Sequence, residues 1–252
     1  MCTILFAYKA HSEYDFIFLG NRDEFRNRPS KEAHFWLSHS NVLAGIDLEK
    51  GGTWTGISKE GRIAFLTNHR DGSIPVKNKV SRGDLTRNFL IGSMSPLDYL
   101  QDIQNRRDDY DPFNLVVGTQ DELYYYSNIE NKISIIEPGV YGLSNAFLDT
   151  PWYKVKKAKN RFLGLLDTCF SVDQLFDILS DTEIPPVEEL PDTGVSIEWE
   201  KTLSSICIDT PEYGTQFKTV MLVDKKKEVR FHEKIYDAKG NWNDNGSIFN
   251  IA

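Results

Sequence analysis

The chain has 252 residues, 40% hydrophobic and 26% charged, with a formal net charge of −8. This length and mix suit one large or two small globular domains with a sizeable core, and argue against disorder. The acidic balance argues against nucleic acid or an anionic membrane surface as the main partner, and no apolar run approaches the roughly 20 residues that cross a bilayer.

The first element, MCTILFAY, is a strand with Cys2 at its start. The apolar stretch after Met1 is short, has no basic flank and meets Lys9 and His11 too soon for a signal peptide, so a cytoplasmic location is expected. Cys2 admits two readings. Aminopeptidases remove Met1 before a small residue, which would leave an α-amine and a thiol on one residue, a base and a nucleophile together. Alternatively, Cys2 packs as a small hydrophobe at the edge of a buried strand. Cys2, Cys169 and Cys207 are odd in number, widely spaced and without CxxC, which suggests neither a disulfide framework nor a zinc site.

A second strand, DFIFLG, runs into GNRDEFRNR. Four polar residues, Asn21, Arg22, Asp23 and Glu24, then read as a charged hairpin loop. They also read as a site, since antiparallel pairing would bring 22–23 to the start of the first strand. There an Arg stabilises a thiolate and an Asp fixes an amine. Strands NVLAGI, TWTGIS and RIAFLTN follow, the last ending in Asn68-His69-Arg70-Asp71. Asn68 is either a turn residue or an amide donor to an oxyanion. His69 has no second ligand at metal spacing, so a surface histidine is expected.

SRGDLTRNFLIG and SPLDYLQDIQNRR read as helices, the second with Ser95 as cap, Pro96 at the first helical position and Asp98 at capping-box spacing. Strands FNLVVGT, ELYYYSN, KISIIE and VYGLSN come next, with Asn145 at the exit. Helices WYKVKKAKNRFLGLLD and SVDQLFDILSD, the latter capped by Ser171, follow. Residues 182–200 are acidic, proline-bearing and aperiodic, and are expected to flank or cover a cleft. LSSICID, TQFKTVMLVD and EVRFHEKIYD close the chain as strands, with Tyr213 to Gln216 at the entrance to the second of them. Trp36, Trp54 and Trp152 read as core. KVKKAKN and DKKKEVR read as a wet helix face and a turn. Strands and helices in blocks predict an α+β domain of antiparallel sheets with segregated helices.

MCTILFAY, GNRDEFRNRPSKEAHFW, GGTWTGISKEGRIAFLTNHR, SRGDL, YGLSNAFLDTPWYKV, LPDTGV and EYGTQFKTVMLV, in this order, resemble the NRDE, or transport-and-Golgi-organisation, family. That family is similar to N-terminal-nucleophile hydrolases of the penicillin V acylase and bile-salt hydrolase branch. The resemblance implies a four-layer αββα sandwich over a single domain, residues 1–252. It implies Cys2 as nucleophile, Arg22 and Asp23 as the paired Arg and Asp, and Asn68 and Asn145 as active-site asparagines. Asn21, Glu24, His69, Tyr213 and Gln216 are the expected substrate-side residues. Many relatives carry Arg where this chain has Gln216, and Lys218 compensates only if no bulge intervenes between the two. Neither a metal nor a cofactor is expected. The implied activity is cleavage of an amide carbon–nitrogen bond in a small molecule after loss of Met1. The alternatives are haem trafficking, or binding of acyl-coenzyme A or lipid in the same cleft. Oligomeric state is not legible in the sequence.

Overall fold

The computed structural model describes residues 2–75, 77 and 79–252. Two antiparallel sheets form its middle layers. One has six strands, in the order β10(Gly139–Leu143), β1(Cys2–Tyr8), β2(Tyr14–Phe25), β11(Tyr213–Asp224), β12(Glu228–Tyr236), β13(Trp242–Asn250). The other has seven, running in chain order from β3(Ser30–Phe35) through β4(Val42–Asp47), β5(Thr55–Ser58), β6(Ile63–Asn68), β7(Phe113–Gly118) and β8(Leu123–Ser127) to β9(Lys132–Ile135).

Strand periodicity assigns the layers. In β1 and β2, Ile4, Phe6, Phe16 and Phe18 point between the sheets and meet Phe65, Val116, Met221 and Phe231. Leu5, Ala7, Ile17 and Leu19 point the other way, against α3(Tyr153–Leu166) and α4(Val172–Leu179). The outer face of the second sheet carries α1(Gly83–Ile91) and α2(Pro96–Asn105), through Leu85, Phe89, Tyr99 and Leu100. Burial on both faces explains why these strands read as continuous apolar runs. The α+β, αββα expectation describes the molecule.

Several local expectations need correction. GNRDEF is not a hairpin loop, because β2 continues to Phe25 and pairs with both β1 and β11. The edge strands β3 and β13 are not among the expected strands, because their few apolar residues, Phe35 and Phe249 among them, stand within mostly polar runs. LSSICID is not a strand: α5(Ile197–Leu203), with Ser196 accepting from the Trp199 N–H at 3.4 Å, ends inside it. The caps at Ser95 and Ser171 form, the latter as a full capping box with Gln174.

Residues 182–200 do not line the cleft described below. Their acids meet the basic face of α3, through Lys156–Glu189 and Lys157–Glu183. Thr193 accepts from the Gly72 N–H at 2.7 Å, and Gly194, at φ +78°, lies so close to Gly72 that a Cβ there would meet backbone. The stretch is therefore a brace on the turn after β6. Lys154 also departs from the wet-face reading. It is buried and donates from Nζ to the Leu203 carbonyl at 2.9 Å.

Candidate functional site

In the β1–β2 ladder Cys2 lies opposite Arg22. Both line a cleft of about 220 Å³ where this sheet faces β4 to β6 and the start of α1. Asp23, Glu24, Asp47, Trp54, Asn68 and Arg82 complete the part of its wall that bears on chemistry. Its floor brings Gly52, of the GGTW stretch, against Gly83, of SRGDL. A Cβ on Gly52 would lie 2.5 Å from the Gly83 carbonyl carbon, so no larger residue fits.

The two-residue period of β2 divides the NRDE stretch between two faces. Arg22 continues the side of Phe18 and Gly20, between the sheets. Its guanidinium donates to Gln216 Oε1 and, at 3.1 Å, to Asp47 Oδ2, and it lies 4.6 Å above the Trp54 ring. Asn21 continues the side of Leu19, toward the helices, and donates to the Leu179 and Ile206 carbonyls at 2.9 and 2.8 Å. Asn21 is therefore a structural tie and not a cleft residue.

Asp23, also buried, accepts from Thr215 Oγ1 at 2.6 Å. Burial raises its pKa, against the charge of Lys154 and the Thr215 hydrogen bond. Burial lowers that of Lys154 to about 8, with Asp23 opposing. Half-buried Cys2 has its thiol pushed up by burial, while the Asp23 backbone N–H and the Arg22 charge pull it down. Burial opposes ionisation of Asp47 too, but the hydrogen bond from Arg28, at 2.7 Å, wins and holds its carboxyl below the ordinary range.

Asn68 ends β6 and reaches the cleft; Asn145 stands behind it, fully buried, donating from Nδ2 to the Asn68 carbonyl at 2.9 Å. The Asn145 carbonyl accepts from the Arg70 N–H at 2.7 Å, and Ser144 Oγ donates to the Cys2 carbonyl at 2.9 Å. Arg70 in turn pairs with buried Glu200 at 2.8 Å. Glu200 also accepts from the Thr193 N–H, so α5 and LPDTGV hold the turn that carries Asn68.

Cys2, Arg22, Asp23, Glu24 and Asn68 thus share one cleft, with Asn145 behind Asn68. His69 and Tyr213 lie outside the cleft lining. The His69 ring packs on Phe147 at 4.7 Å, and the Tyr213 hydroxyl donates to the Asp23 carbonyl at 3.0 Å. Gln216 touches Arg22 but also lies outside the lining. A bulge does intervene at Gln216, and Lys218 points away, donating to Ser180 Oγ at 2.8 Å and covering the Trp242 ring. Asp47, Trp54 and Lys154 surround Arg22 and Asp23 without any signal of it in the sequence. Asp47 and Trp54 lie in the AGID and GGTW stretches, whose pattern reads as strand and core. Among the described residues no cluster of three or more His, Cys, Asp or Glu side chains suits a metal ion, and no helix is long and apolar enough to cross a membrane.

The profile of the transport and Golgi organisation 2 family matches residues 1–238. The chain is 35% identical to the transport and Golgi organization protein 2 homolog of Bos taurus and 33% identical to that of Homo sapiens. Each match covers 93% of this chain and 92% of the relative. Among solved structures, penicillin V acylase from Agrobacterium tumefaciens superposes with a TM-score of 0.52 at 10% identity, over 99% of this chain and 86% of that one. The C2A mutant of conjugated bile acid hydrolase from Clostridium perfringens gives 0.54 at 10% identity, over 100% and 92%. These neighbours share the N-terminal-nucleophile hydrolase fold, and by profile and identity the chain belongs to the transport and Golgi organisation 2 family.

Proposed function

We propose that the protein is a cysteine-nucleophile amidohydrolase that cleaves the carbon–nitrogen bond of a small amide after removal of Met1, a residue outside the described ones. The carrying observation is the placement of Cys2 opposite Arg22 in a cleft that also receives Asp23 and Asn68. The neighbours whose titles name a penicillin V acylase, a conjugated bile acid hydrolase and an N-acylethanolamine-hydrolyzing acid amidase support the same chemistry.

An α-amine of pKa about 7.7–8.0 is free enough near neutrality to take the proton of the adjacent thiol as it attacks. Burial and the Asp23 charge hold the Cys2 thiol above its ordinary value, and the Asp23 backbone N–H and the Arg22 charge counter them only in part. The thiolate attacks the amide carbonyl, the Asn68 side chain donates to the oxyanion, and Asn145 fixes Asn68 through its carbonyl. The α-ammonium, held by Asp23, gives its proton to the leaving amine as the carbon–nitrogen bond breaks. Water then hydrolyses the thioester, releasing the acid and restoring the thiol. The charged wall supports a polar substrate better than the apolar contacts that haem or an acyl chain would use.

Incubation with a panel of N-acyl amino acids, followed by acid quench and intact-mass measurement, tests the reading. It expects an acyl adduct on the Cys2 peptide for at least one member, and none in Cys2→Ala. Turnover that survives Cys2→Ala would contradict it.

A further inference from the structure

Gln216 is the extra residue of a β-bulge in β11. Thr215 pairs with Asp23 and Phe217 with Arg22, so Gln216 has no partner of its own across β2. Bulges re-aim a side chain, and here the amide is turned along the end of β2. It is 7% exposed, accepts from Arg22 through Oε1 and donates through Nε2 to the Phe25 carbonyl at 2.6 Å. An amide meets both demands. A guanidinium has no acceptor for Arg22, and a carboxylate has no donor for the Phe25 carbonyl. Together with Asp47 on the other side and Trp54 beneath, Gln216 closes a three-sided holder around the Arg22 guanidinium. Its outer surface faces a separate hollow shared with Arg26, Pro211 and Tyr236.

We propose that Gln216 is a positioning residue. It holds the Arg22 charge beside Cys2 and does not anchor substrate. The neutral residue at this position therefore maintains the electrostatics of the nucleophile through Arg22. The inference deepens the hydrolase reading above and rests on Cys2 being the reactive thiol of the cleft.

The test is the pH profile of iodoacetamide alkylation, read on the Cys2 peptide of the full-length protein. Gln216→Met removes the amide at similar volume. It is expected to move the half-reaction pH of Cys2 upward by about half a unit and to slow alkylation at pH 7 roughly three-fold, a part of what a nearby cation contributes. Arg22→Met is expected to give a larger upward shift. In the Arg22→Met background, Gln216→Met is expected to add nothing, because its effect passes through Arg22. Gln216→Leu serves the same purpose should the Met variant not fold, with the melting temperature as the check. An unchanged profile, or an equal shift with and without Arg22, would overturn the inference while leaving the hydrolase reading standing. A Cys2 inert to alkylation in the unaltered chain would overturn both.

Discussion

The two halves of β2 are buried alike and held in place differently. From Tyr14 to Leu19 the strand is mainly apolar, with Phe16 and Phe18 between the sheets and Ile17 and Leu19 under the helices. From Gly20 onward it is polar on both faces, and Asn21, Arg22 and Asp23 stay buried because each has partners far away in sequence. Apolar burial is non-directional and sums by area, so the first half supplies stability. Hydrogen bonds in a buried site fix direction and give less net energy, so the second half supplies geometry. Polar residues concentrated at one end of an otherwise apolar strand mark the place where stability yields to function.

Phe16→Ala, at the end of the strand away from Cys2, should have the largest effect on this contrast. It should cost about 3–5 kcal/mol in denaturant unfolding, as expected for loss of a buried aromatic ring. Cys2 alkylation should stay unchanged in the fraction that remains folded. A smaller loss accompanied by altered alkylation would mean that the two halves are not separable.

Glu233 tests the seam between them. Thr219 pairs with Gly20 on one side and with Glu233 on the other, and the Ala33 N–H donates to the buried Glu233 carboxyl at 2.8 Å. Burial, opposed by that hydrogen bond, raises its pKa to about 7. The folded value lies above the unfolded one, so its stabilising contribution is complete below about pH 4.5 and is lost as pH rises through about 7. Glu233→Gln should therefore gain roughly 2–3 kcal/mol over the unaltered chain at pH 8 and nothing at pH 4, read by urea midpoints at both. An equal effect at the two values would show that the carboxyl does not titrate in this window.

Thr215→Val removes the hydroxyl that donates to Asp23 and accepts from the Ile208 N–H. A loss of about 1–2 kcal/mol is expected, together with an altered alkylation profile for Cys2, since the Asp23 N–H faces the thiol. Ser171→Ala unmakes the capping box of α4, in the helical layer, and should cost about 1 kcal/mol with no change at Cys2. Together they separate damage to the layer from damage to the site.

The apolar half was legible in the sequence and the polar half only partly so. Continuous apolar runs placed β1 and the first part of β2, because burial on both faces leaves no other use for them, and the caps at Ser95 and Ser171 placed two of the helices. GNRDEF read as a loop because adjacent charges are usually solvated. What keeps it in the sheet is a set of partners at Asp47, Leu179, Ile206, Thr215 and Gln216 that no local window contains. Trp54 read as core because nothing in GGTW signals that a guanidinium rests on it. Lys154 looked like one more lysine on a wet face, although helix periodicity turns it inward beside Val155 and Ala158. The family resemblance points to Cys2, Arg22, Asp23 and Asn68. It could not show that strand alternation sends Asn21 to the helices, or that a bulge turns Gln216 toward Arg22.

The central claim is that Cys2 becomes the first residue of the working protein and its nucleophile. Intact-mass measurement of the purified full-length protein, before and after brief iodoacetamide treatment at pH 7, tests it most directly. The account predicts a chain that begins at Cys2 and, by peptide mapping of the labelled protein, takes up its first label there, ahead of exposed Cys169 and buried Cys207. A chain that keeps Met1, with Cys2 no more reactive than the exposed Cys169, would contradict it.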